Sequence, residues 1–266
     1  AVCGLAFVAA CWGLHEIVSM GMPAQRMTAF PLLVLLGAGY FACAAFSTSG
    51  GIPGLDSLRA VGVDPTLLLV VITVLGSASY FVVTAKTTDG LADRWAHFAL
   101  GAPYVGTTLG LIPALRELEG GRGWLWVPLL VAWLGDMGGY FVGRAIGKHK
   151  LHPLISPKKT WEGFFGGVAF AVVGLLGFKF LVFGPLVDSA DPMTVFDCIV
   201  LGTAGAIAGV LGDLVASMIK RSHGVKDSGR FLPGHGGMLD RVDALLFVVP
   251  VVWLWVVVLR PSMDVL

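Results

Sequence analysis

Residues 196–216 read FDCIVLGTAGAIAGVLGDLVA, an apolar run whose only charged side chains are Asp197 and Asp213. About 20 apolar residues in a helix cover the hydrocarbon core of a bilayer, so this run predicts a membrane-spanning helix. Its glycines recur at three- and four-residue spacing, a pattern that lets neighbouring helices approach closely in a membrane. The run therefore predicts a tightly packed span that ends at an acidic residue.

The rest of the chain repeats this pattern. Apolar runs predict eight spans, at 2–21, 28–46, 66–85, 96–115, 124–143, 162–183, 196–216 and 242–259. Of the 266 residues, 56% are hydrophobic and 13% are charged, a composition that excludes a soluble domain and a disordered chain. The alternation of a membrane barrel does not recur. We therefore predict an all-α integral membrane protein, a polytopic bundle of about eight transmembrane helices.

We interpret the whole chain, 1–266, as a single polytopic membrane domain. Within it, 1–123 holds N-terminal helices of unassigned role, 124–243 holds catalytic helices and loops, and 244–266 holds the last helix and a tail. The four cysteines have neither metal-ligand nor disulfide spacing. The net charge of +1 gives no reason to expect nucleic acid as a partner.

Lysine and arginine predict the orientation. Thirteen of the 18 lie in or next to the loops after spans one, three, five and seven, and four lie on the opposite side. The positive-inside rule places the first group in the cytoplasm. We expect a bacterial cytoplasmic membrane protein with its active site facing the cytoplasm and both ends of this chain outside. A ninth span before Ala1 would be consistent with that topology.

Polar residues cluster at the cytoplasmic ends of three spans. Two sets share a helical stripe: Asp136, Tyr140 and Arg144 on span five, and Asp213, Ser217, Lys220 and Arg221 on span seven. Asp240 and Asp243 lie three residues apart where span eight begins. A carboxylate in a span is costly unless it faces a partner or a wet cavity. The acidic residues of these three spans therefore predict a shared cation.

The residue types around this cation indicate a reaction class. Carboxylate oxygens suit Mg²⁺, and the nearby lysines and arginines would hold phosphate oxygens. The runs 156–160 (SPKKT) and 233–237 (PGHGG) allow close approach of a ligand to the backbone. Together they favour phosphoryl or nucleotidyl transfer. His15 and Glu16, in the first span, are interpreted as polar groups at a helix end or as a packing pair.

Residues 217–243 read SMIKRSHGVKDSGRFLPGHGGMLDRVD. This segment resembles the signature of the CDP-diacylglycerol synthase (phosphatidate cytidylyltransferase) family. Residues 136–163 are also similar to that family, through a set that shares its fixed positions: Asp136, Tyr140, Gly143, Arg144 and the run SPKKTWEG at 156–163. Gly139 departs from the pattern, where alanine is expected, and should affect packing only. The likeness covers residues 130–243, and spans one to four share only hydrophobicity.

The resemblance implies transfer of CMP from CTP to phosphatidate in the lipid bilayer, with Mg²⁺, giving CDP-diacylglycerol and pyrophosphate. It assigns the metal to Asp213, Asp240 and Asp243. It assigns catalysis to these three with Lys220, Arg221 and His235. It assigns substrate binding to Ser156, Lys158, Lys159, Ser217, Lys226, Arg241, Arg144 and Asp136. A second cation is left open, and the small-residue spacings are compatible with a homodimer.

Other functions remain open. The chain could act with CTP on another lipid, either as a transferase for an isoprenoid ether lipid phosphate or as a polyprenol kinase. It could also be a cation-coupled transporter with Asp136 and Asp213 as ion ligands. A transporter is expected to carry polar groups near mid-span and inverted repeats. The polar residues here cluster at one membrane face, which favours the enzyme.

Overall fold

The computed structural model describes residues 1–48, 52, 56–60, 62–183, 193–229, 231 and 236–260. Within them, eight helical segments are long and apolar enough to cross a membrane: Val2–Gly21, Pro23–Ala45, Pro65–Thr84, Leu91–Glu117, Gly121–Ile146, Trp161–Phe183, Val195–Ser222 and Leu239–Leu259. The predicted spans and the all-α membrane class are confirmed. Several helices extend beyond their apolar run, as Val195–Ser222 does, so that polar residues continue the same helix.

The described residues form α-helices and one pair of strands. In chain order the α-helices are α1 (Val2–Gly21), α2 (Arg26–Ala45), α3 (Asp56–Ala60), α4 (Pro65–Val71), α5 (Ser77–Thr84), α6 (Leu91–Glu117), α7 (Gly121–Trp124), α8 (Trp126–Ile146), α9 (Trp161–Phe178), α10 (Val195–Ser222), α11 (Leu239–Val242) and α12 (Leu245–Leu254). Wider π-helical turns continue α4, α9 and α12, over Ile72–Gly76, Lys179–Phe183 and Trp255–Leu259. Two strands, β1 (Lys150–His152) and β2 (Ser156–Thr160), precede α9.

Side-chain caps begin three of these helices. The Asp64 carboxylate accepts hydrogen bonds from the amides of Thr66 and Leu67 at the start of α4. The amides of Leu67 and Thr66 hold the pKa of Asp64 below its ordinary value, because they stabilise the charged form. Thr160 caps α9, and Thr194 forms a capping box at the start of α10. Each cap satisfies backbone donors that have no partner within the helix.

The chain forms two compact units. The first comprises residues 1–114 with 227–239, and the second comprises 115–226 with 240–266. In the first unit, α1 and α2 pack around a buried apolar core that includes Leu14 and Leu33. The 227–239 segment therefore belongs structurally with α1–α6, although it is encoded after seven of the eight spans.

In the second unit, α8 and α9 pack most extensively, through glycines. A Cβ added at Gly163 would lie 2.7 Å from the carbonyl oxygen of Gly139, so this position admits only hydrogen. Helix α10 packs against both α9 and α12. The predicted use of small residues for tight helix packing is confirmed at this crossing.

An antiparallel hairpin stands where the sequence analysis expected a loop. β1 pairs with β2 in the register Lys150↔Thr160 and His152↔Ser156. At its base, Glu162 accepts hydrogen bonds from the backbone amide and Nδ1 of His149. Because Thr160 both ends β2 and caps α9, the strand is held directly against the start of that helix.

The close contact of α8 and α9 at Gly139 and Gly163 leads to different expectations for an alanine at each position. We expect Gly163→Ala to destabilise the protein by about 1–3 kcal/mol, because the new methyl overlaps backbone that cannot move alone. Gly139→Ala should change stability by less than about 0.5 kcal/mol, since its Cβ would lie 3.5 Å from the Gly163 carbonyl oxygen, an ordinary contact. Thermal unfolding in detergent measures both. Equal melting temperatures for the two variants would contradict the packing argument.

Candidate active site

A pocket of about 470 Å³ lies within the second unit, between α8, β2, α9 and α10. Its polar wall holds six of the polar residues noted in the sequence: Asp136, Tyr140, Arg144, Lys158, Lys159 and Asp213. Glycines of α8 and α9 also line it, among them Gly139 and Gly163. Its volume is in the range of small-ligand sites. The three residues of the stripe on span five therefore all line this pocket.

Lys159 and Asp213 form the first ion pair of the site. Lys159 Nζ lies 2.6 Å from the Asp213 carboxylate, and both side chains are about a quarter to a third exposed. Ser217, one turn further along α10, donates a hydrogen bond to the other oxygen of Asp213 at 3.2 Å. The β hairpin places Lys159, a residue of β2, beside Asp213 on α10.

Lys220 and Asp240 form the second pair. Lys220 Nζ lies 2.5 Å from the Asp240 carboxylate, and the lysine and aspartate side chains are 10% and 14% exposed. Lys220 is on α10, two turns beyond Asp213, and Asp240 is on α11. This pair is more buried than the first, so its attraction is less screened by water.

Asp136 and Asp243 complete the group of carboxylates. Asp213 interacts electrostatically with both of them. The backbone of Gly212 lies directly against the carbonyl of Asp243, which brings α10 and the start of α12 into contact. The Asp243 carboxylate also accepts a hydrogen bond from the Ala244 amide at 2.7 Å. Asp240 and Asp243 are only three positions apart in the chain, yet they have different protein partners.

The other expected site residues occupy several environments. Arg144 donates to the Tyr140 hydroxyl at 2.7 Å, one turn back on α8. Arg221 is exposed and donates to the Val225 carbonyl at 2.9 Å, which closes the end of α10. Ser156 begins β2, and Lys226 and Arg241 are exposed. His235, assigned to catalysis by the resemblance, lies outside the described residues.

The geometry bears on a metal. Among the described residues, no three His, Cys, Asp or Glu side chains are gathered closely enough to hold an ion by themselves. The donor chemistry nevertheless fits Mg²⁺, which takes one or two carboxylates together with water and substrate phosphates. Asp213 interacts electrostatically with both Asp136 and Asp243. Carboxylates that repel one another favour the binding of a cation among them.

The apolar side of the pocket was not singled out in the sequence. Phe164 and Val168 of α9, with Ala206 and Val210 of α10, line it together with the charged groups. In a span these residues are indistinguishable from any others that face lipid or core. Only the packing of α9 and α10 shows that these apolar residues face a pocket that charged residues also line.

The fold and this site define a class: a polytopic membrane protein with lysine–aspartate pairs at the ends of its spans, beside a pocket that is part charged and part apolar. Comparison with known proteins narrows it. The profile of the cytidylyltransferase family matches residues 1–259, and the chain belongs to that family. The predicted family resemblance is confirmed.

Curated relatives agree with the family. The chain is 42% identical over 170 residues to the phosphatidate cytidylyltransferase of Staphylococcus epidermidis. It is 39% identical over 171 residues to that of Bacillus subtilis, and 40% identical over 170 residues to that of Staphylococcus aureus. These matches cover 64% of this chain and 61–62% of the relatives. The chain therefore matches somewhat less than two thirds of the length of each relative.

Proposed function

We propose that this protein transfers CMP from CTP to phosphatidate, with Mg²⁺, giving CDP-diacylglycerol and pyrophosphate. The observation that carries the proposal is the presence of two lysine–aspartate pairs, Lys159–Asp213 and Lys220–Asp240, each with one member on α10. Such pairs place cation ligands and phosphate ligands side by side, as a nucleotide triphosphate with its metal requires. The relatives described above are phosphatidate cytidylyltransferases, which supports the same reaction.

The chemistry needs positioning more than proton transfer. A phosphate oxygen of phosphatidate attacks the α-phosphorus of CTP and forms a new P–O bond. The bond from that phosphorus to the bridging oxygen of the β-phosphate breaks, and pyrophosphate leaves with the electron pair. The nucleophile is already an anion, so no strong general base is required. The main obstacle is repulsion between two anionic substrates, which cationic side chains relieve while they align the attack.

The residues of the site divide this work. Bound Mg²⁺ would neutralise charge on the triphosphate, and Asp213, Asp240 and Asp243 are the carboxylates proposed to hold it. Lys159 and Lys220 would turn from their aspartates to phosphate oxygens when substrate and metal enter. Metal binding and phosphate binding are then coupled. A metal that binds the aspartate frees the lysine for phosphate, and a phosphate that binds the lysine frees the aspartate for the metal.

The pocket suits a substrate that is charged at one end and apolar at the other. Lys158, Lys159 and Arg144 supply positive charge on one side, while Phe164 and Val168 supply the apolar side. A lipid phosphate has this division, since its headgroup is anionic and its chains remain in the bilayer. We propose that the phosphatidate headgroup occupies this pocket while the acyl chains remain in the bilayer.

We also propose the orientation that the charges predict. The loops after spans one, three, five and seven hold most of the lysine and arginine, and they include the β hairpin and the end of α10. With these loops in the cytoplasm of a bacterial cell, CTP reaches the site directly. The lipid bilayer, CTP and phosphatidate are the proposed partners, and a homodimer remains a prediction.

A labelling experiment tests the reaction. Purified protein is incubated with Mg²⁺, a lipid phosphate and CTP labelled either in the cytosine or in the γ-phosphate. We expect cytosine label, but no γ-phosphate label, in the lipid fraction with phosphatidate. Label from the γ-phosphate alone would identify a kinase, and cytosine transfer only to an isoprenoid ether lipid phosphate would identify a different acceptor. The proposal would be overturned if neither label entered the lipid fraction under conditions in which membranes that contain this activity incorporate cytosine label.

A further inference from the structure

Helix α1 carries a buried carboxylate within an otherwise apolar span. Glu16 is 2% exposed, and its chain neighbours in the helix are His15 and Ile17. A buried charge in a membrane helix is expensive, so it is retained only where specific partners stabilise it. The mechanism described above does not use this residue, and the sequence analysis interpreted it as a helix-end group or packing pair.

Glu16 accepts hydrogen bonds from Ser228, Met238 and Leu239, all within the first unit. The Ser228 hydroxyl donates to Oε2 at 2.7 Å. The backbone amide of Met238 donates to Oε1 at 2.8 Å, and the amide of Leu239 donates to Oε2 at 2.8 Å. The donors are more than 200 residues away in the sequence, and they lie at both ends of the segment 228–239. One side chain of α1 therefore joins the two ends of this segment.

The segment is shaped around the carboxylate. A Cβ added at Gly229 would lie 2.5 Å from Glu16 Oε1, and one at Gly237 would lie 2.5 Å from both carboxylate oxygens. Neither position admits a side chain while Glu16 is in place. Gly237 belongs to the glycine run of the signature, so at least one of these glycines makes room for a protein carboxylate.

We propose that Glu16 is a positioning residue for the segment 228–239, a part of the signature that it holds from both ends. The segment contains the run 233–237, and Leu239 is joined by a peptide bond to Asp240, one of the proposed metal ligands. A carboxylate that fixes the Leu239 amide restricts the backbone immediately before that ligand. The inference rests on the proposed function for its catalytic part, and on the three hydrogen bonds for its structural part.

Glu16→Gln is the sharpest variant, because it keeps the size of the side chain. Only one of the two carboxylate positions can remain an oxygen, so the amide group must face a donor of the segment and repel it. We expect hydrogen exchange at the amides of Met238 and Leu239 to become at least tenfold faster. We expect kcat to fall at least tenfold and the Mg²⁺ concentration for half-maximal turnover to rise at least threefold. The KM for phosphatidate should stay within twofold.

Two further variants keep the test decisive. Ser228→Ala removes one donor of three, and it should cause a smaller shift in the same direction even if Glu16→Gln folds poorly. Ser77→Ala is the matched control: it removes a buried hydrogen bond from Trp95 Nε1 in the same unit, at 2.9 Å. We expect the control to lower the melting temperature without changing kcat or the Mg²⁺ requirement.

The outcomes separate the two proposals. Wild-type kinetics and wild-type exchange in Glu16→Gln would overturn the positioning role while leaving the proposed function intact. Faster exchange with unchanged kinetics, or kinetics like those of Ser77→Ala, would show a purely structural role and also overturn it. If the wild-type protein transfers no cytidine, the proposed function fails, whereas exchange still reports whether Glu16 holds the segment.

Discussion

Asp213→Asn is expected to lower CTP- and Mg²⁺-dependent turnover by at least ~1,000-fold, with little change in folding. Asp213 lies at the centre of the site, paired with Lys159 at 2.6 Å and interacting with both Asp136 and Asp243. Loss of a metal carboxylate removes several kcal/mol of transition-state stabilisation, and about 1.4 kcal/mol corresponds to tenfold in rate. Steady-state transfer of labelled cytidine into lipid measures the loss, and thermal unfolding in detergent reports folding.

The matched control is Asp93→Asn, which makes the same change at an exposed aspartate in the first turn of α6. It should retain turnover within about twofold, as expected of surface substitutions away from a site. Turnover close to wild type in purified Asp213→Asn would show that this carboxylate does not hold the metal. The lysine–aspartate pairs would then be structural ion pairs, and the proposed reaction would need another centre.

Lys220→Met is expected to affect both stability and turnover. It leaves the Asp240 charge, 14% exposed, without its lysine, and breaking a buried pair by removing one partner costs about 3–5 kcal/mol. Turnover should fall at least ~100-fold, because the lysine proposed to contact the triphosphate is gone. Melting temperature and cytidine transfer are measured together. Lys86→Met, at an exposed lysine after span three, should change neither.

The double variant Lys220→Met with Asp240→Asn separates the two effects. Both charges are removed, so no buried charge is left without its partner, and stability should recover by at least about half of the loss. Turnover should remain at the level of the worse single variant, because both functional groups are missing. Recovery of turnover together with stability would mean that the pair serves folding alone, and the assignment of both residues would be wrong.

The two ion pairs join residue types to which the sequence gives separate roles. From the sequence, the aspartates were assigned to metal and the lysines to phosphate, as two separate sets. The structure instead joins Lys159 to Asp213 and Lys220 to Asp240. Without substrate, each group thus has an opposite charge beside it, which lowers the cost of holding charges at the ends of membrane helices. Under the proposed function, substrate and metal must exchange these partners.

The membrane class, the eight spans and the polar stripe on α8 can all be predicted from the amino-acid sequence alone. Hydrophobic run length is a local property, since each span must satisfy its own backbone in lipid, so it can be read without tertiary contacts. The stripe of Asp136, Tyr140 and Arg144 follows from helical periodicity alone, and these residues do line one pocket. The motif spacing likewise identified the family that the profile match confirms.

Which polar groups meet depends on tertiary packing and could not be predicted from the sequence. Lys159 reaches Asp213 because a hairpin, which no apolar pattern indicated, lies against the start of α9. Glu16 meets Ser228 and Leu239 across more than 200 residues, and nothing in the span around it distinguishes it from a polar residue at a helix end. Such partners depend on how distant helices pack, and neither helical periodicity nor residue spacing specifies contacts between segments so far apart in the chain.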